Sequence, residues 1–159
     1  MILTKAKEKT KTLRARKQMT SFGSNNYEDI IDELRDAANQ EYFSLELPNE
    51  DDLVLVEEEI LVQIPMDVKI FLLEVSDLSL GSLEPITVAD PGSHTHLPEV
   101  TALAWENGLP REYLPICQHK NGYYCIDENN EVIDWQDGEV MDERWDGIWS
   151  WAETVWLHS

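Results

Sequence analysis

"REYLPICQHKNGYYCIDENNEVIDWQDGE", residues 111–139, decides the fold. Its apolar and β-branched residues fall into short runs at about 113–119, 122–127 and 131–136, divided by turn-forming residues. Asn121-Gly122 is a strong hairpin signal, and Glu128-Asn129-Asn130 is the second turn. Consecutive strands joined by such tight turns pair antiparallel, so this stretch is a three-stranded meander. A meander buries one face only if helices cover it.

Those helices flank the meander. Downstream, "DERWDGIWSWAETVWLHS" (142–159) repeats Trp145, Ile148, Trp149, Ala152, Val155 and Trp156 at helical spacing, with Asp142 placed to cap. Its tryptophans are expected to pack on the sheet rather than to stack on bases. Upstream, "LPEVTALAWENG" (97–108) is a helix with Pro98 in its first turn and Gly108 as its stop. Before it, "LGSLEPITV" (80–88) reads as a strand bounded by Gly81 and Pro91. Three earlier helices precede that strand. "NNYEDIIDELRDAANQ" (25–40) carries a capping-box pattern at Asn25 and Glu28. "LPNEDDLVLVEEEILVQI" (47–64) opens on acids that suit a helix N-terminus. "PMDVKIFLLEV" (65–75) starts on Pro65, which is tolerated in a first turn. The order of elements predicts an α+β domain: a largely antiparallel sheet against N-terminal helices and a tryptophan-rich C-terminal helix. Residues 1–26 form a basic tail and linker, and 27–159 a single domain.

The 159 residues hold twelve Lys and Arg against 32 Asp and Glu, a net charge of −20. Residues 1–17 hold seven basic residues and one acid, a net of +6, which leaves a net of −26 on the rest. A body of that sign repels nucleic acid and anionic membrane and favours a basic protein partner. No run of apolar residues reaches the length of a membrane span, and the start lacks the apolar centre of a secretory signal, so a cytoplasmic protein is expected.

Little in the chain is built for catalysis. Cys117 and Cys125 lie on adjacent strands. A two-residue Asn121-Gly122 turn sets their thiols on opposite faces, and a three-residue loop sets them side by side. In either case buried free thiols are expected in a reducing compartment. His94 and His96 stand two apart, with Cys117 and His119 as possible further ligands, but no metal-binding spacing is present and no metal or other cofactor is expected. Nucleophile elbows and phosphate-binding glycine loops are absent. What the sequence does offer is acidic and aromatic surface, with Asp51, Asp52, Glu58, Asp134, Trp135, Asp137, Asp142 and Glu143 as candidate partner-binding residues.

Two segments resemble the SUKH superfamily of Smi/Knr-type cell-wall regulators, Syd-like proteins and bacterial toxin-immunity proteins. In "EEEILVQIPMDVKIFLLEVSDL" (57–78), the residues that fit are Glu58 or Glu59, Ile64, Pro65, Asp67, Lys69, Phe71 and Leu72. Val68 replaces a preferred aromatic, and Ser76-Asp77 replaces the usual Asn-Gly. In the later segment Leu109, Pro110, Ile116, Gly122, Tyr124, Ile126, Asp127, Val132 and Trp135 correspond. The likeness runs over about residues 27–157. It implies a non-catalytic α+β binding domain, of which bacterial examples commonly bind and block a cognate toxin, often a nuclease. A regulatory or scaffold protein of the same fold, without a toxin partner, is the alternative it allows.

Overall fold

The computed structural model describes residues 27–38 and 46–159. Among these, five α-helices and five strands form one α+β arrangement around a continuous apolar core. The basic tail and the Asn25 cap fall outside the described residues.

Helix α1 (Tyr27–Ala38) buries Ile30, Leu34 and Ala38, spaced four apart along one stripe. Its Arg35 reaches α3 (Met66–Val75), where the guanidinium donates to the Glu74 carbonyl at 2.6 Å and pairs with Asp77 at 3.2 Å. A cation there meets the negative end of the α3 dipole and satisfies one of its last carbonyls. Helix α2 (Glu50–Ile60) opens on a full capping box, with Asn49 and Asp52 each bonding the other's backbone N–H at 2.9 Å. It buries Leu53, Val56 and Ile60 and ends at Leu61, whose φ of 58° breaks the helical path. Pro65 then precedes α3, which buries Val68, Phe71, Leu72 and Val75.

The expected strand over 80–88 shrinks to β1 (Glu84–Pro85). Pro85 has no N–H to give a ladder, and beyond it Thr87 makes only a single bridge to His96. Helix α4 (Leu97–Glu106) starts with Pro98 in its first turn, and Gly108, at φ 103°, stands just past its end. The meander follows as β2 (Leu114–His119), β3 (Gly122–Ile126) and β4 (Val132–Gln136), each within a residue of the expectation.

The stretch after β4 departs from the sequence reading. Asp137 and Gly138 both take positive φ, 51° and 88°, and turn the chain into a further strand, β5 (Glu139–Trp145). That pair of angles is a hairpin turn in which the second residue is best as glycine. Asp142 therefore lies mid-strand rather than at a helix start, and Trp145 pairs with Val132 across the ladder. The last helix, α5 (Ile148–Trp151), begins only after Gly147 and widens into a π-helical turn over Ala152–Trp156. Phe71 lies between Trp149 and Trp156, each ring centroid 5.5 Å away, so these tryptophans are core.

All five strands pair antiparallel in the order β1-β2-β3-β4-β5. Helix α4 packs on β2 and on α2, while α5 packs on β5 and α3. The tight link between β2 and β3 is Lys120-Asn121, one residue earlier than the sequence signal, because Gly122 is already paired with His119. A side chain at Gly122 would collide with the Trp135 carbonyl, which is why glycine begins β3.

Candidate interaction surface

The register settles where the chemistry-bearing side chains go. Cys117 pairs with Tyr124 and Cys125 with Pro115, across an irregularity at Ile116. Both thiols are free and buried. Burial pushes the Cys117 thiol up to about 12, with the nearby Glu84 charge adding to the rise against a backbone hydrogen bond that opposes it. Burial also raises Cys125. A thiol held protonated in this way is a poor nucleophile.

The polar cluster on the sheet is self-contained. His119 Nε2 and Asp134 Oδ1 are 2.7 Å apart, Asp134 Oδ2 accepts from Gln136 at 2.9 Å, and His119 Nδ1 accepts the Asn121 backbone N–H at 3.2 Å. Since Nδ1 is an acceptor, Nε2 carries the hydrogen and donates to the carboxylate. Both ring nitrogens are spent, so the dyad has none left to take a proton from a substrate. Tyr124 packs over it, 4.7 Å from the His119 ring and 5.4 Å from Trp151. Burial raises the Tyr124 phenol above its ordinary value, and the Asp134 charge raises it further. Beside the cluster an open groove of about 710 Å³ runs past His94, Gln118, Lys120 and Gln136. His94 pairs with Glu84 at 2.5 Å in solvent, while His96 is buried, so the two histidines do not converge. Among the described residues no three His, Cys, Asp or Glu side chains gather as a metal site.

The candidate partner-binding residues divide by burial. Asp51 and Glu58 are exposed on α2, while Asp52 is held in the capping box. Asp137, Asp142 and Glu143 are exposed on the β4–β5 turn and on β5. Asp134 and Trp135 are corrected: at 8% and 6% exposure they are interior, the first bonded to His119 and the second packed 6.3 Å from Tyr123. Asp134 lies inside β4, which β5 flanks, and its carboxylate is enclosed by His119 and Gln136.

The motif residues have structural work. Ile64, Phe71, Leu109 and Val132 are buried, and Tyr124 is half-buried. Asp67 and Pro110 are exposed. Asp127 Oδ1 accepts the Asn129 and Glu131 N–H groups at 2.9 and 3.0 Å, shaping the β3–β4 turn, and its Oδ2 pairs with Arg144 of β5 at 3.1 Å. Glu58 and Glu59 were the candidates for the motif's helix glutamate, yet both point to solvent. The neighbouring Glu57 is the engaged glutamate of the three: it accepts the Ile64 N–H at 2.9 Å and pairs with Lys69 at 3.3 Å, tying the end of α2 to the start of α3. Helical spacing marks Glu57 as one position after buried Val56, a faint signal among three consecutive glutamates.

The SUKH_5 family model, described as SMI1-KNR4 cell-wall, matches residues 27–157. The chain belongs to the SUKH superfamily. A solved structure, titled as the crystal structure of a protein from Pseudomonas syringae pv. tomato, is 51% identical over 83% of this SUKH chain and 99% of that one, with a TM-score of 0.78. Comparison with curated proteins gives no match. The expected fold and family therefore hold for this SUKH domain, and such domains are generally non-catalytic.

Proposed function

We propose that this SUKH protein is a non-catalytic binding domain whose acidic surface takes a basic protein partner, a cognate toxin that it neutralises. The observation that carries this reading is the contrast between engaged chemistry and free charge. The thiols and the His119–Asp134 pair are internally committed, whereas Asp137, Glu139, Asp142 and Glu143 stand exposed along one strand and its turn. Enzymes that cut nucleic acid carry positive clefts for phosphates, so a nuclease toxin fits a body of this charge. The binding residues proposed are Asp51, Glu58, Asp137, Asp142 and Glu143, all exposed. The test is co-production with a basic toxin encoded beside this gene. Rescue of growth, with a stable one-to-one complex, is the expected result; full toxicity in the presence of well-folded protein overturns it.

A second reading is favoured by the description of the matched family, which names cell-wall proteins. A regulatory scaffold of the Smi/Knr type would use the same fold without a toxin. A gene that stands alone, and whose loss alters the cell envelope, supports that alternative.

A further inference from the structure

Strand β5 is the last in the sheet order, so among the described residues no neighbour pairs with its outer N–H and C=O groups. Its seven residues are all exposed or half-exposed. Most proteins keep such edges short, interrupt them or cover them. Within residues 137–146 the acids Asp137, Glu139, Asp142, Glu143 and Asp146 are exposed, and the one base, Arg144, is paired with Asp127. The β4–β5 register shifts opposite Asp134, so among the described residues the edge is an unpaired but irregular strand under a net negative charge.

The same chain carries a segment suited to it. Lys5, Lys7, Lys9 and Lys11 alternate strictly, so an extended chain places all four on one face. The family match begins at residue 27, so this segment lies outside the matched domain. The structure also shows where it must enter. Tyr27, the first residue of α1, stacks on Trp149 with ring centroids 5.5 Å apart, and Trp149 follows the end of β5 by four residues. The described chain therefore begins on Trp149, four residues past the end of the open strand. Residues 18–26 can span up to about 30 Å, and β5 is about 23 Å long, so the lysines reach its whole length.

We propose that residues 5–17 dock along β5 of their own chain, adding backbone pairing to the open edge and laying the lysines against Glu139 and Glu143, which share one face of the strand. The tether gives the segment an effective concentration in the millimolar range, so a contact too weak to hold a free peptide is still populated. The docked segment covers the strand's unpaired edge and screens its charge until a stronger basic partner displaces it. This goes beyond the proposed function and shares with it only the acidic edge.

The test uses the full chain alone, with no partner, so its failure is separate from failure of the toxin reading. Backbone hydrogen exchange is followed at residues 139–145 in the natural chain and in the variant Lys5→Glu, Lys7→Glu, Lys9→Glu, Lys11→Glu, whose changes lie outside the domain. About tenfold protection of the outward β5 amides is expected at low salt, lost in the variant and at about 0.5 M salt. Adding Glu139→Lys and Glu143→Lys to that variant should restore the protection by exchanging the charges. Identical β5 exchange in the natural chain and the lysine variant overturns the proposal, as does failure of the exchanged charges to restore it. Protection that rises with protein concentration assigns the occupant to a second copy and overturns docking within one chain.

Discussion

Glu57 shows how much one side chain can specify. Its two carboxylate oxygens meet the Ile64 N–H and the Lys69 ammonium, and so fix the bend between α2 and α3 at the point where Pro65 begins the next helix. Glu57→Ala removes a charged acceptor from a part-buried N–H, and hydrogen bonds of that kind contribute about 1.5–3 kcal/mol. A loss of about 2 kcal/mol in urea unfolding is expected, against less than about 0.5 kcal/mol for the exposed Glu58→Ala. Equal effects would deny Glu57 this role. Cys117 supplies a pH dependence. In the unfolded chain its thiol ionises near 9.0, while in the fold it holds its proton to about 12. Its contribution to stability is therefore complete below pH 9.0 and drains away as pH rises towards 12, because the unfolded state releases the proton first. Between about pH 8 and 10.5 the fall in urea midpoint should be smaller in Cys117→Ala than in the natural chain; an unchanged slope would show that the thiol is not buried as described.

At the scale of elements, the legible parts were those with strong local signals. Pro98 and Gly108 bracketed α4, the glycine at 122 marked the β2–β3 hairpin, and the Leu53, Val56 and Ile60 stripe marked α2. The C-terminal region misled because two periods overlap there. Trp145 continues the spacing of Ile148 and Trp149, but it belongs to a strand, and Asp146-Gly147 breaks the chain before α5 starts. Asp137-Gly138 was the one local signal for that strand, and nothing after it supported a strand, because β5, exposed on nearly every residue, has no apolar alternation. The site suffered from the same error: with β5 unseen, Asp134 and Trp135 looked like the end of the sheet, when they lie on β4 with a further strand beside it. Gly138 tests the corrected element directly. Its φ of 88° suits glycine, and Gly138→Ala should cost about 1–2 kcal/mol with loss of exchange protection centred on the β4–β5 hairpin. A stable variant with an intact hairpin would argue against the turn as described.

For the whole molecule the dominant quantity is the separation of +6 in residues 1–17 from −26 in the rest. Such a field acts mainly on encounter, since screening weakens it over about 10 Å at 0.1 M ionic strength. If a basic toxin is the partner, its association rate should fall steeply with salt while its dissociation rate changes less. Charge reversal at Asp137, Asp142 and Glu143 should slow association and leave the melt unchanged, because all three are exposed. Asp134 does not belong in that set, since reversing it would place a cation beside the His119 N–H inside the sheet and unsettle the fold. Reversal at Asp51 and Glu58 is the internal comparison: α2 packs on α4 whereas β5 packs on β4 and α5, so the two sets report on different regions of the surface. Removing residues 1–17 should speed association by deleting charge that repels the partner. A cognate partner whose association ignores salt and both sets of reversals would end the electrostatic account. An acidic partner would turn attention to the lysines of the N-terminal segment instead.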